Sequence, residues 1–110
     1  MEITITTLND VQHVLLTGDV DGKSAPEVLE AVLPLITPQA KLLLDLGGVA
    51  YMSSAGLRML LSTFRQVGMQ NAKLVLTGVA EEIRDTMSIT GFLHHFTICD
   101  SVEAAQAALA

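Results

Sequence analysis

The hydroxyl groups of Ser53 and Ser54 are the first candidates for chemistry in this chain. They stand between an apolar run that begins at Leu42 and a helical pattern that begins at Leu57. A serine at such a junction can cap the first free backbone N–H groups of a helix. The same N–H groups and the helix dipole favour a negative charge. A hydroxyl here could therefore become a phosphate without disturbing the fold.

Two carboxylates, Asp19 and Asp21, lie in a glycine-bounded segment, Gly18 to Gly22. Paired carboxylates can support acid–base or metal chemistry, but no histidine or third acidic ligand is adjacent. Two interpretations remain. The segment is a solvated turn whose Asp side chains bond the local backbone, or it is part of a surface that contacts a partner protein.

A small serine hydrolase is the enzymatic alternative for Ser54. Its flanking residues do not form the Gly-x-Ser-x-Gly turn of such enzymes. His13 lies in a predicted strand and is interpreted as an ordinary strand residue. His94 and His95 follow a predicted helix with no evident orienting acid. As neighbours on a strand they would face opposite sides, which argues against a metal pair. We therefore expect no catalytic residue, metal or cofactor.

The serine pair is positioned by a strand, a short loop and a helix. The run from Leu42 to Leu46 is typical of a strand buried on both faces. After the serines the apolar spacing becomes helical. The residues on this helical face are Leu57, Leu60, Leu61, Phe64 and Val67.

The remaining pattern predicts the order β-β-α-β-α-β-α-β-α. Alternating apolar residues on either side of Asn9-Asp10 indicate a hairpin. Capping-box spacing at Ser24–Glu27 and at Asp100–Glu103 predicts two helix starts, and Pro34 should end the first helix. Strands that alternate with helices favour an α/β domain with mostly parallel pairing. The other predicted elements are strands at 73–77 and 96–99 and a helix that contains Ile83 and Met87.

Composition excludes several classes of function. The chain has 110 residues, 6 basic against 12 acidic side chains and a net charge of −6, so nucleic acid is a poor partner. No apolar run approaches the roughly 20 residues of a membrane span, and the first residues do not resemble a secretory signal. Cys99 is the only cysteine, so no internal disulfide forms. We expect one domain located in the cytoplasm.

Four motifs follow one another along the chain: Gly18-Asp19-Val20-Asp21, Leu44-Asp45-Leu46, Tyr51-Met52-Ser53-Ser54-Ala55-Gly56-Leu57 and Gly91-Phe92. In this order they resemble the STAS domain family, and more narrowly the stand-alone anti-sigma factor antagonists of bacteria. In that family the phosphorylated serine lies two residues before the motif glycine, which is Gly56 here, so the resemblance implies Ser54. Ser53, the alternative, stands where the family commonly has Asp, and Ala55 stands where it has Ser or Thr.

The resemblance also implies a fold and a mechanism. The fold is a single STAS-like domain over residues 1–110, with a small mixed, mostly parallel sheet and about four helices largely on one side. The unmodified form would bind an anti-sigma factor that is itself a serine kinase. Phosphorylation would release it, and a metal-dependent serine phosphatase would reset it, with ATP and Mg²⁺ belonging to the kinase. The implied partner surface consists of Asp19, Asp21, Ser53, Ser54, Gly56 and Leu57.

The alternative is a STAS scaffold that does not switch, or a switch component with an output other than transcription. In the scaffold the serine need not be modified, and the changes at Ser53 and Ala55 favour this alternative. The scaffold would assemble with itself or with a larger complex, and a monomer is otherwise expected.

Overall fold

Five strands form one mixed sheet in the computed structural model, which describes residues 1–110. The strands lie side by side in chain order, β1 to β5. They are β1 (Glu2–Leu8), β2 (Val11–Thr17), β3 (Lys41–Gly48), β4 (Lys73–Thr77) and β5 (Thr97–Cys99). The helices are α1 (Ala25–Val32), α2 (Ser54–Met69), α3 (Glu81–Ile89) and α4 (Val102–Leu109). The predicted α/β order is confirmed.

Strand β1 pairs antiparallel with β2, and every other pairing in the sheet is parallel. The hairpin turn is Asn9-Asp10, whose φ angles of 53° and 68° are both positive. Two positive φ angles are the signature of the turn that matches the twist of a two-residue hairpin. The predicted hairpin is therefore confirmed.

The two faces of the sheet carry cores of different size. The larger core contains 19 buried residues and packs α1, α2 and α3 against one face. The smaller core, with five buried residues, places α4 on the opposite face. Strand β3 contributes to both, because Leu42 and Leu44 face the large core while Leu43 faces the small one. The prediction that the helices lie largely on one side of the sheet is thus confirmed, with α4 as the exception.

Both predicted capping boxes are wrong in detail. The hydroxyl of Ser24 makes no cap for α1, because it bonds within the preceding loop instead. The cap of α4 is Ser101, whose Oγ accepts the Ala104 N–H at 3.0 Å, rather than Asp100. Neighbouring polar residues can each fit the spacing of a capping box. The backbone conformation decides which of them becomes the N-cap.

Helix α1 ends at Val32, and a single 3₁₀ turn that contains Pro34 follows it, as expected for proline. None of the helices combines the length and the apolar character that crossing a membrane requires.

Candidate functional site

The loops after β2 and β3 are joined to each other beyond the edge of the sheet. Val20 and Met52 form an isolated parallel bridge. The Val20 N–H donates to the Tyr51 carbonyl at 3.0 Å, and the Ser53 N–H donates to the Val20 carbonyl at 2.8 Å. We call residues 18–22 the acidic loop and residues 49–53 the serine loop. The bridge brings the acidic loop directly beside the start of α2.

The two serines occupy different positions at the start of α2. Ser53 is the N-cap: its backbone is extended and its Oγ accepts the Gly56 N–H at 3.4 Å. Ser54 is the first residue of the helix, is exposed, and its hydroxyl makes no hydrogen bond to the protein. The capping role that the sequence allowed for Ser54 therefore belongs to Ser53. The hydroxyl of Ser54 is left free at the surface.

Gly56 and Leu57 are buried beneath this site. A Cβ at Gly56 would lie 2.4 Å from the Met52 Cγ and 3.2 Å from the Val20 carbonyl oxygen. The absence of a side chain thus lets α2 begin against the bridge between the two loops. Leu57 is a core residue, 6% exposed. Both were predicted as partner-surface residues, and their side-chain positions face inward beneath the exposed Ser54.

The two carboxylates of the acidic loop differ in their hydrogen bonds. Asp21 Oδ1 accepts the backbone N–H groups of Lys23 and Ser24, each at 3.0 Å. These bonds, with that of Ser24 the larger cause, hold the pKa of the Asp21 carboxyl below its usual value. Asp19 is exposed and its carboxylate accepts no hydrogen bond from the protein. Asp21 therefore holds the loop together, and the Asp19 carboxylate is free at the surface.

Arg58 is a residue of the site that the sequence interpretation missed. It is exposed and lies four residues after Ser54 on α2, which places both on one helix face. No carboxylate lies within 4 Å of its guanidinium, since the only contact of that kind between a basic side chain and a carboxylate joins His13 to Asp45. Arg58 lines a groove of about 370 Å³ between α1 and α2. The spacing of four residues between Ser54 and Arg58 in a predicted helix could have indicated from the sequence that Arg58 lies beside Ser54.

His13 lies in β2, as interpreted from the sequence, and it contacts a carboxylate that the sequence pattern did not indicate. Its Nε2 lies 2.8 Å from Asp45 Oδ2, and Asp45 Oδ1 accepts the Gly47 N–H at 2.9 Å. Asp45 shares the parity of Leu43, and His13 that of Val11, so the pair lies on the face that carries α4. Because α2 packs on the other face, this acid–histidine pair does not serve Ser54 as a hydrolase triad would.

The reason given against a metal pair at His94 and His95 also needs correction. They lie in a 3₁₀ turn rather than a strand, and their ring centroids are 4.4 Å apart. No group of three or more potential ligands from His, Cys, Asp and Glu surrounds them or occurs elsewhere in the structure. Two neighbouring imidazoles alone do not provide the usual set of protein ligands for zinc.

Comparisons with a family model and with known proteins agree on one family. The model of the STAS domain matches residues 2–105. The chain is 36% identical over 110 residues to BtrV of Bordetella bronchiseptica, named as a candidate anti-sigma factor antagonist, with 98% of this chain and 94% of that one covered. It is 37% identical over 83 residues to the anti-sigma-B factor antagonist of Bacillus subtilis, covering 76% and 75%.

A solved structure supports the same fold. The crystal structure of an anti-sigma factor antagonist from Mycobacterium paratuberculosis superposes with a TM-score of 0.86 at 23% identity. The match covers 98% of this chain and 92% of that one. At this identity the likeness establishes the fold alone.

Proposed function

Because this chain belongs to the STAS domain family, we propose that it is an anti-sigma factor antagonist whose binding is switched by phosphorylation of Ser54. We assign residues 1–110 to one such domain. The observation that carries the proposal is that the two serines at the start of α2 have different roles. Ser53 caps the helix through its hydroxyl, while the hydroxyl of Ser54 is exposed and unbonded. A kinase could modify Ser54 without taking a hydrogen bond from the fold.

The covalent step is a phosphoryl transfer from ATP bound to the kinase. Ser54 Oγ forms a bond to the γ-phosphorus, the bond from that phosphorus to the bridging oxygen breaks, ADP leaves, and the hydroxyl proton passes to a base of the kinase. In the resetting step a metal-activated water of the phosphatase attacks the phosphorus. The bond from Ser54 Oγ to phosphorus then breaks, inorganic phosphate leaves, and Ser54 regains its proton. This chain supplies only the acceptor hydroxyl, so the activity is not enzymatic.

The modified form remains folded in this mechanism. A phosphate at the first residue of a helix lies near free backbone N–H groups and the positive end of the helix dipole. The cap by Ser53 is retained, and the buried contacts of Gly56 and Leu57 are not altered. The switch therefore acts on the surface and leaves the core unchanged.

Release follows from the charge that phosphorylation adds. A phosphoserine carries roughly −1.5 to −2 charges at neutral pH, and the exposed carboxylate of Asp19 belongs to the adjoining acidic loop. A partner that places a carboxylate against this surface would meet the added negative charge of the phosphate. Like charges brought together in a desolvated interface cost several kcal/mol, and about 1.4 kcal/mol already changes affinity tenfold.

The test is incubation with ATP and the candidate serine kinases of the same cell, followed by peptide mapping. The parent is compared with Ser54→Ala and Ser53→Ala. We expect phosphate on Ser54 in the parent and in Ser53→Ala, none in Ser54→Ala, and loss of kinase binding once Ser54 is modified. Phosphate on Ser53 in place of Ser54 would overturn the assignment.

A scaffold that does not switch remains the second candidate because of two residues. Ser53 and Ala55 stand where the family commonly has Asp and Ser or Thr. If a kinase of this kind binds but modifies neither serine, the chain is a constitutive antagonist or a scaffold. Labelling of Ser54 by a fluorophosphonate probe would instead indicate a hydrolase.

A further inference from the structure

We propose that Arg58 is the counter-charge of the Ser54 switch, pairing with a carboxylate of the partner before phosphorylation and with the Ser54 phosphate afterwards. This inference rests on the proposed function and concerns how the same site is regulated. It starts from an exposed guanidinium that has no acidic neighbour within 4 Å in a chain with twice as many acidic as basic residues.

The helix geometry favours capture of the phosphate. Residues four apart on a helix have Cβ atoms about 5–6 Å apart, so the side chains of Ser54 and Arg58 extend from neighbouring points on one face of α2. The anionic group would be N-terminal to the cation, which is the better orientation for an i, i+4 pair. A guanidinium can also donate two parallel hydrogen bonds to phosphate oxygens.

The groove beside Arg58 indicates what it contacts before phosphorylation. The groove lies between α1 and α2 and has a volume of about 370 Å³. Half of its eight lining residues are hydrophobic, and Arg58 is the only charged one. Charge complementarity therefore favours a segment of the anti-sigma factor that carries an apolar side chain and a carboxylate. The lining residues other than Arg58 are Gly22, Ala25, Pro26, Leu29, Ala55, Met59 and Ser62.

Phosphorylation then acts twice on the same interface. It adds negative charge beside the acidic loop, and it takes Arg58 from the carboxylate of the partner. The partner carboxylate is left without its counter-charge, which is costly in a desolvated interface. Removing Arg58 should therefore weaken the unmodified complex and also reduce the effect of phosphorylation.

The first test measures the phosphate itself and does not require the natural kinase. Phosphoserine is installed at position 54 during translation, and its second ionisation is followed by ³¹P NMR. A nearby cation favours the dianion, so its pKa should lie below the usual value of about 6. We expect Arg58→Gln to raise that pKa and Arg58→Lys to restore part of the shift. Arg65→Gln is the matched control, since Arg65 is also exposed on α2 but lies eleven residues from Ser54.

The second test measures binding of the unmodified chain to the anti-sigma factor by calorimetry. Arg58→Gln should reduce the affinity about tenfold or more, whereas Arg65→Gln should leave it unchanged. Phosphoserine at position 54 should then reduce affinity by a smaller factor in Arg58→Gln than in the parent.

The outcomes separate this inference from the proposed function. If Arg58→Gln matches Arg65→Gln in the NMR and binding measurements while phosphorylation of Ser54 still releases the partner, the role of Arg58 is refuted and the switch stands. If phosphoserine at position 54 leaves binding unchanged, the switch itself is refuted.

Discussion

Asp21 and Ser24 exchange hydrogen bonds: the Asp21 N–H donates to Ser24 Oγ, and the Ser24 N–H donates to Asp21 Oδ1, both at 3.0 Å. The ring closes the acidic loop onto the start of α1. The side chain of each residue thus accepts a hydrogen bond from the backbone N–H of the other. The predicted capping box had assigned such an exchange to Ser24 and Glu27. The charged carboxylate accepts these hydrogen bonds more strongly than the neutral acid, so the stability of this loop depends on pH.

We expect the pKa of Asp21 to lie below its ordinary value of 3.8, because two backbone N–H groups stabilise the carboxylate. A folded-state pKa below the unfolded one gives stability that is complete above the unfolded pKa. That stability is lost as the pH falls through the lower, folded value. The measurement is a carboxyl ¹³C NMR titration. In Ser24→Ala both backbone donors remain, so the pKa should stay lowered; a value of 3.8 or above in the parent would contradict the hydrogen bonding described here.

The cap at the start of α2 predicts unequal effects of removing the two hydroxyls. Ser53→Ala should lower the free energy of unfolding by about 0.5–1 kcal/mol, since it removes an N-cap acceptor. Ser54→Ala should change it by less than about 0.5 kcal/mol, because that hydroxyl is exposed and unbonded. Urea unfolding of both variants beside the parent makes the comparison. Equal losses would mean that Ser54 shares the capping role.

The close packing at Gly56 predicts that a single methyl group there is harmful. Gly56→Ala should cost about 1–3 kcal/mol, because the added Cβ overlaps Met52 and Val20. Gly68→Ala is the matched control on the same helix, with no atom within 4 Å of an added Cβ. It should stabilise the protein by about 0.5–1 kcal/mol through helix propensity. Thermal unfolding would distinguish the two, and a neutral Gly56→Ala would refute the packing argument.

The hydrogen bond between His13 and Asp45 on the other face of the sheet predicts coupling between two strands. Asp45→Ala should cost about 1–3 kcal/mol, because it removes the acceptor for both His13 and the Gly47 N–H. His13→Ala should cost less, since its side chain is 21% exposed. A double-mutant cycle should give a coupling of about 0.5 kcal/mol or more. If the losses in the free energy of unfolding were strictly additive, the contact between His13 and Asp45 would make no contribution to stability.

Several features of the fold followed from local patterns in the sequence. The hairpin could be predicted because Asn9 and Asp10 tolerate positive φ angles. The strand, loop and helix around Ser54 could be predicted because the apolar spacing changes from a continuous run to a helical period after the serines. These signals lie within a few residues of each other along the chain.

Other features depend on contacts between distant residues or on backbone conformation. The bond from His13 to Asp45 depends on the register of β2 against β3, which no local pattern specifies. The choice between Ser53 and Ser54 as the cap depends on where the backbone leaves the extended region, and the spacing fits either. The placement of α4 opposite the other helices entered no sequence argument at all.

The bridge between Val20 and Met52 has a consequence for the affinity of the association that we propose. The acidic loop and the serine loop are already fastened to each other by main-chain hydrogen bonds, so a partner does not have to immobilise two separate loops. Ordering side chains and loops is one of the main entropic costs of forming a complex. With that cost met during folding, a small contact area on the proposed partner surface can still give useful affinity.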